Sequence, residues 1–339
     1  MSTPHTGRVR AAVVAGLGSW LPPRVVGNDE LAGRIDTSDE WIRTRTGIRR
    51  RHVVDPAMPT SRLAVEAGSR ALESAGVPDV DVVILATATP DRRCPATAPL
   101  VAHRLGLTGR PAFDVSAVCT GFLYALATGA GMIGSGAVER VLVIGADAFS
   151  TIVDPLERST AVVFGDGAGA VVLRAGDPEE PGALGPFVLG SDGSLADLIT
   201  IRAGGSEHPT VEQPASRPDS YFAMRGQETF ALAVARMEEA SRSALAKAGW
   251  KPGQVDRLVC HQANLRILQA ISRRLDVPQE RLVVHLDLAG NTAAASIPLA
   301  LDHGLSTGEL TPGARVLLTA FGGGATWGAT TLTWPELKR

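Results

Sequence analysis

Cysteine is scarce in this 339-residue chain: Cys94, Cys119 and Cys260 are odd in number and show no C-x-x-C spacing. That pattern argues against a disulfide framework or a zinc site and points to a reducing cytosol. An excess of either charge is lacking as well. With 33 Lys and Arg against 35 Asp and Glu, the formal net charge is −2, and a pI near 6.4 gives no global field for the nucleic-acid backbone. Long apolar runs are missing too. Polar residues 1–10 are followed by Ala11–Ala15, which meets Gly16 and Gly18 well short of an export signal or a membrane span. Aromatics are only 4%, but 45% hydrophobic residues in a chain of this length are enough for one large core or two. Disorder and collagen-like architecture are thereby excluded.

What is present is a repeated plan. Ala71-Leu-Glu-Ser-Ala-Gly76 leads into the apolar run Val80–Ala86, and Ala244-Leu-Ala-Lys-Ala-Gly249 leads into Val255–Cys260. Arg140-Val-Leu-Val-Ile-Gly145 is answered by Arg315-Val-Leu-Leu-Thr-Ala320, and Phe164–Gly169 more loosely by Phe321–Ala325. The apolar runs are short enough to be buried strands, and Gly76 and Gly249 close helices as C-caps. Helix, buried strand, helix, strand in each half predicts a layered α/β fold with mainly parallel central strands. Ligands in such folds gather beyond the strands' carboxyl ends. The chain divides into 11–175, a connecting stretch 176–224 with a short strand near Phe187–Leu189, and 225–339.

Cys119 lies where the strand-like Phe113–Val115 turns into a helical pattern over Leu123–Ile133. Free cysteines are most often small buried hydrophobes, but one at a helix N-terminus is favoured as thiolate by unpaired N–H groups. His261 directly follows a buried strand, which puts an imidazole where a catalytic base or donor belongs, although a lone His is more often structural. Aligning Asp114 with Asp287 in the duplicated frame brings Cys119 close to Asn291, whose bland reading is a turn or N-cap residue. Gly16-Leu-Gly18 and Gly165–Gly169 lack the context of a dinucleotide fingerprint or a P-loop. Phe321-Gly-Gly-Gly324 suits presentation of an N–H to an oxyanion, or simply a tight turn. From Asn264 to Leu275 the residues Leu265, Leu268, Ile271 and Leu275 form one helical stripe. Arg266, Arg273 and Arg274 share another face, either solvated or a landing site for an anionic partner.

Cys119, His261-Gln-Ala-Asn264 and Gly290-Asn-Thr292 in this order, with Thr37–Ile42, Thr44–Ile48, Phe164–Gly169 and Phe321–Gly324, make the sequence resemble a known family nearly end to end. It is similar to the β-ketoacyl-acyl-carrier-protein synthase III family of thiolase-like condensing enzymes. The resemblance implies duplicated α/β halves in a five-layered α-β-α-β-α fold, a cytoplasmic homodimer, and no cofactor beyond the substrates acyl-CoA and malonyl-ACP (acyl carrier protein). It implies that Cys119 takes the acyl group, that His261 and Asn291 stabilise the enolate formed as malonyl-ACP loses CO₂, and that backbone N–H groups of Cys119 and Gly323 form an oxyanion hole. For coenzyme A it implies Trp41 and Arg158 about the adenine, Arg45 near the phosphates and Asn264 near the pantetheine arm. Arg266, Arg273 and Arg274 match the surface that docks acyl carrier protein.

Two positions depart from the pattern. Val118 and Thr120 flank the nucleophile where many members have Ala and Ala or Ser. Cys94 stands where family dimers push a larger side chain, often Phe, into the partner's acyl pocket, so branched or medium-chain primers are expected to fit. Two other readings compete: a synthase-III-like acyltransferase making an ester or amide in a natural-product pathway, and a non-catalytic thiolase-fold partner subunit. Degradative thiolases use a second cysteine near the C-terminus, and none follows Cys260.

Overall fold

The apolar runs become the centres of two sheets in the computed structural model, which describes residues 10–210, 216 and 218–338. Nine of the ten polar opening residues, and residues 211–215 and 217 of the connecting stretch, lie outside the described residues. The first half runs β1 (Ala11–Trp20), β2 (Arg24–Gly27), α1 (Asn28–Ala32), α2 (Asp39–Thr46), β3 (Arg50–Val53), α3 (Thr60–Ala75), β4 (Val82–Ala86) and α4 (Ala98–Arg104). It continues with β5 (Ala112–Val115), α5 (Gly121–Gly134), β6 (Arg140–Asp147), α6 (Arg158–Ala161) and β7 (Gly167–Gly176). The remainder holds β8 (Val188–Ser191), β9 (Ile199–Thr200), β10 (Ala223–Met224), α7 (Gly226–Lys247) and β11 (Arg257–Cys260). It ends with α8 (Leu265–Arg274), α9 (Leu286–Ala289), α10 (Ser296–Thr307), β12 (Arg315–Gly322) and β13 (Thr326–Thr333).

One sheet has the order β1-β7-β6-β4-β5, the other β11-β12-β13-β8. Helices α3 and α4 cover the first sheet, α5 and α10 lie between the sheets, and α7 and α8 cover the second. Strand β4 is buried at every position because helices pack on both its faces. The strands are mainly parallel, as expected, with one reversed strand in each sheet: β1, β6, β4 and β5 run one way against β7, and β11, β12 and β8 run one way against β13. β4 pairs parallel with β5 and β6, and β11 with β12, whereas β7 and β13 run antiparallel to their neighbours. The reason at β12 is local: residues 323–325 return the chain at once as a hairpin, with no crossover helix.

The repeat has a consistent register. Asp81 donates its N–H to the Arg140 carbonyl as Asp256 does to the Arg315 carbonyl, so Ala86 corresponds to His261, Ala146 to Phe321 and Asp147 to Gly322. Phe164 is therefore not the counterpart of Phe321. Two short 3-10 turns, Val118–Thr120 and Ala293–Ala295, open α5 and α10, and each begins on a non-glycine residue at φ 46°. The counterpart of Cys119 is thus Ala294, three residues beyond Asn291. The Asp114–Asp287 alignment misses this because β5 is answered near Leu282, beside Leu258, and α9 intervenes before the turn.

Close approach of the halves depends on Gly145. A Cβ there would lie 2.4 Å from the Ala294 carbonyl oxygen and 2.9 Å from its carbon, both backbone atoms. Gly145→Ala is expected to destabilise the fold by about 3 kcal/mol through overpacking, read as a lowered urea midpoint with unchanged slope.

Candidate active site

Cys119 sits in the first of the two turns, buried at the inner end of a channel of about 240 Å³. Burial, and after it the charge of Asp147, pushes the thiol up, while its own backbone N–H acts in the opposite direction. The expectation of a resting thiolate from helix position alone is therefore corrected: in this apolar surround desolvation outweighs the amides. Thr120 does not disturb the site. Its hydroxyl bonds to the Ala117 carbonyl at 3.1 Å and to the Thr326 hydroxyl, tying the turn to β13. The glycine hairpin runs alongside, since a Cβ on Gly322 would come within 3.0 Å of the Cys119 amide nitrogen. Only glycine lets the backbone next to Gly323 come so near the nucleophile.

His261 follows β11 and lines the same channel. Burial pushes its imidazole down to about 3, so it is neutral. Nδ1 lies 2.6 Å from the Ser296 hydroxyl, which itself accepts the Gln262 N–H at 3.3 Å. The hydroxyl proton is then free to go to Nδ1, which leaves Nε2–H as the imidazole's donor. Asn291 also lines the channel. Its Oδ1 accepts the Ala293 N–H at 2.9 Å, so its Nδ2 is turned away from that turn. Its backbone pairs with Val163 and Gly165, which seats it between the halves.

Toward the mouth, Ser38 caps α2 by accepting the Trp41 N–H at 3.1 Å, and Gly47 at φ 83° ends the helix. The Arg158 guanidinium lies 4.9 Å from the Trp41 ring centroid and Arg45 lies 6.0 Å from it. Asn264 caps α8, accepting from Arg266 N–H and donating to the Arg45 carbonyl, so its amide also fastens α2 to α8. Trp41, Arg45, Cys119, His261, Asn264 and Asn291 thus share one channel. Arg266, Arg273 and Arg274 lie exposed on one side of α8. Arg274 is held by Glu238 at 3.0 Å, whereas among the described residues Arg266 and Arg273 enter no ion pair. Cys94 is exposed and lines no part of its own chain's channel.

Several functional neighbours escaped the sequence reading. Phe149 and Phe164 stack with ring centroids 4.3 Å apart, and Phe222 packs edge-on to both at 5.1 and 5.0 Å, in the same core cluster as Cys119. They are scattered along the chain and leave no pattern. Ser296 lies four residues past Gly290-Asn-Thr292 and carries no motif of its own, whereas Asp147 closes a strand, a position that the parallel-sheet plan does single out. Gln262 is a clamp rather than a ligand: it donates to the Cys260 and Val283 carbonyls and accepts from His285 and Leu286. No group of His, Cys, Asp and Glu suited to a metal occurs among the described residues. Nor is any described helix long and apolar enough to cross a membrane.

Family models described as 3-oxoacyl-[acyl-carrier-protein] synthase III and its C-terminal region match residues 113–193 and 245–334. The chain is 61% identical over 330 residues to β-ketoacyl-[acyl-carrier-protein] synthase III 3 of Streptomyces coelicolor, covering 97% of this chain and 98% of the relative. A crystal structure of 3-oxoacyl-(acyl carrier protein) synthase III from Pseudomonas aeruginosa superimposes with TM-score 0.91 at 50% identity, covering 97% of this chain and all of that one. The priming β-ketosynthase of a polyketide biosynthetic pathway superimposes with TM-score 0.90 at 35% identity over 99% of each chain. With Cys119, His261 and Asn291 lining one channel, the chain belongs to the β-ketoacyl-acyl-carrier-protein synthase III family, acyltransferases of the thiolase fold.

Proposed function

We propose that this protein condenses an acyl-CoA primer with malonyl-ACP to give β-ketoacyl-ACP. The observation that carries the reading is that a buried thiol, a neutral imidazole and a buried carboxamide line one apolar channel. Cys119 sulfur attacks the thioester carbonyl, the oxyanion takes the N–H groups of Cys119 and Gly323, and the thiol proton leaves with the CoA thiolate. Malonyl-ACP then loses CO₂. His261 Nε2–H and Asn291 Nδ2–H donate to the thioester oxygen as the enolate forms, and its carbon displaces Cys119 from the acyl group. Trp41, Arg158, Arg45 and Asn264 receive coenzyme A.

Arg266 and Arg273 provide the unpaired charge for the acidic carrier protein, and Arg274 contributes less because Glu238 offsets it. Reversing Arg266 and Arg273 to Glu is expected to raise KM for malonyl-ACP about tenfold at low salt, and the wild-type KM to rise with ionic strength. A KM indifferent to both would remove the docking assignment. Strand β5 is a sheet edge with one unpaired side, which supports a homodimer that covers it.

The reading is tested by offering acetyl-, propionyl-, isobutyryl-, butyryl- and hexanoyl-CoA together, weighing the adduct on Cys119, then adding malonyl-ACP. Acylation of Cys119 followed by β-ketoacyl-ACP is expected. Transfer only to an alcohol or amine would favour ester or amide synthesis instead. Because Cys94 is small, adducts longer than acetyl are expected, and Cys94→Phe should shift the profile toward the shortest primers. An unchanged profile would show that Cys94 does not bound the partner's pocket.

A further inference from the structure

Strand β6 ends on Asp147, a carboxylate with no exposed surface. Oδ1 accepts the Ala88 N–H at 2.7 Å and the hydroxyls of Thr87 and Thr89 at 3.1 and 3.2 Å. Oδ2 accepts the Ala294 N–H at 2.9 Å, from the opposite half of the chain. Four donors fix this group between the end of β4 and the second 3-10 turn. That turn needs an outside hold, because Ala293 at φ 46° occupies a left-handed conformation that costs a non-glycine residue roughly 1–2 kcal/mol. The turn also carries the active-site geometry. Ala293 N–H fixes Asn291 Oδ1, and Ser296, the next residue after the turn, holds His261 Nδ1.

We propose that Asp147 is a positioning residue for the condensation step, aligning the Asn291 and His261 donors on the enolate by clamping the Ala293–Ala295 turn through Ala294 N–H. This rests on the condensing reading above. Asp147 does not line the substrate channel, so it acts only through the turn. Its role is specific to one half-reaction. The oxyanion donors for acylation belong to the Cys119 turn and the glycine hairpin, which Asp147 does not bond, and its charge opposes formation of the Cys119 thiolate.

The two half-reactions are expected to respond in opposite senses. In the full-length Asp147→Asn enzyme, single-turnover condensation of preformed acyl-Cys119 with malonyl-ACP should slow about 30-fold, while acylation by acyl-CoA should be as fast as wild type or faster. A structural role alone would lower both together. Combining Asp147→Asn with Asn291→Ala should slow condensation by less than about tenfold beyond Asn291→Ala alone, because only the share that acts through Ser296 and His261 remains. If Asp147→Asn does not fold, the isosteric Thr87→Val, which deletes one donor to Oδ1, should slow condensation about fivefold and spare acylation. Equal losses in both half-reactions, or multiplicative losses in the double variant, would overturn the proposal. If the wild-type enzyme forms no acyl-Cys119 or no β-ketoacyl product, the condensing reading itself falls, an outcome distinct from either.

Discussion

Cys119→Ala is expected to leave no acyl adduct on the protein and to lower kcat/KM for condensation by more than about 10⁴-fold. No other cysteine lines the channel among the described residues. Cys260 is fully buried on β11, and burial pushes its thiol up as well, so it is neither reachable nor ionised. Cys94 is exposed but outside the channel. The donors that stabilise an enolate are untouched by the change, so slow decarboxylation of malonyl-ACP should persist without carbon–carbon bond formation. Intact-mass spectrometry reads the first expectation and acetyl-ACP formation the second. Retained condensation in Cys119→Ala would remove the covalent route altogether.

His261→Ala should slow condensation about 10²- to 10³-fold, the loss typical when one preorganised oxyanion donor is removed. Acylation of Cys119 should change far less, because its oxyanion is served by backbone amides. The same residue fixes a pH expectation. Burial holds the imidazole down to about 3, so it stays neutral, with Nε2–H available, at every working pH above about 4. His261 should therefore contribute no acid limb to condensation near the ordinary histidine range of about 6.5. Burial lifts Asp147 to about 7, so a limb there belongs to its clamp on the Ala293–Ala295 turn and should vanish in Asp147→Asn; a limb that persists in Asp147→Asn would mean that the imidazole titrates freely, and that its contact with Ser296 does not define its proton.

Much of this was legible in the sequence because the signals were local. Strands β4, β6, β11 and β12 announce themselves as short apolar runs, and Gly76 and Gly249 do close their helices with left-handed backbone at φ 64° and 69°. The site was approachable for the same reason, since Cys119 and His261 follow strand ends and Asn291 lies on a glycine-flanked turn. Properties set by the surroundings were not legible. Whether Cys119 rests as thiol or thiolate depends on the burial around it, and that is assembled from residues far apart in the chain. On α8 the arginines share a face as their spacing requires, but the neutralisation of Arg274 comes from Glu238 on a different helix. The mainly parallel direction of the sheets was legible from the alternation of helices and strands, but the reversal of β7 and β13 was not, because a buried apolar strand reads alike whichever way its neighbour runs.

The twin turns at Val118 and Ala293 have a consequence for how a duplicated chain specialises. The same left-handed kink stands in both copies, although only one leads to a reactive atom. In the silent copy, Ala294 replaces the thiol and its freed amide faces the carboxylate of Asp147 on the other copy's strand. One repeat has become the tool and the other the jig that holds it. Substitutions that straighten the kink in the silent repeat should therefore blunt the enzyme as surely as those in the working one, though no substrate ever touches them.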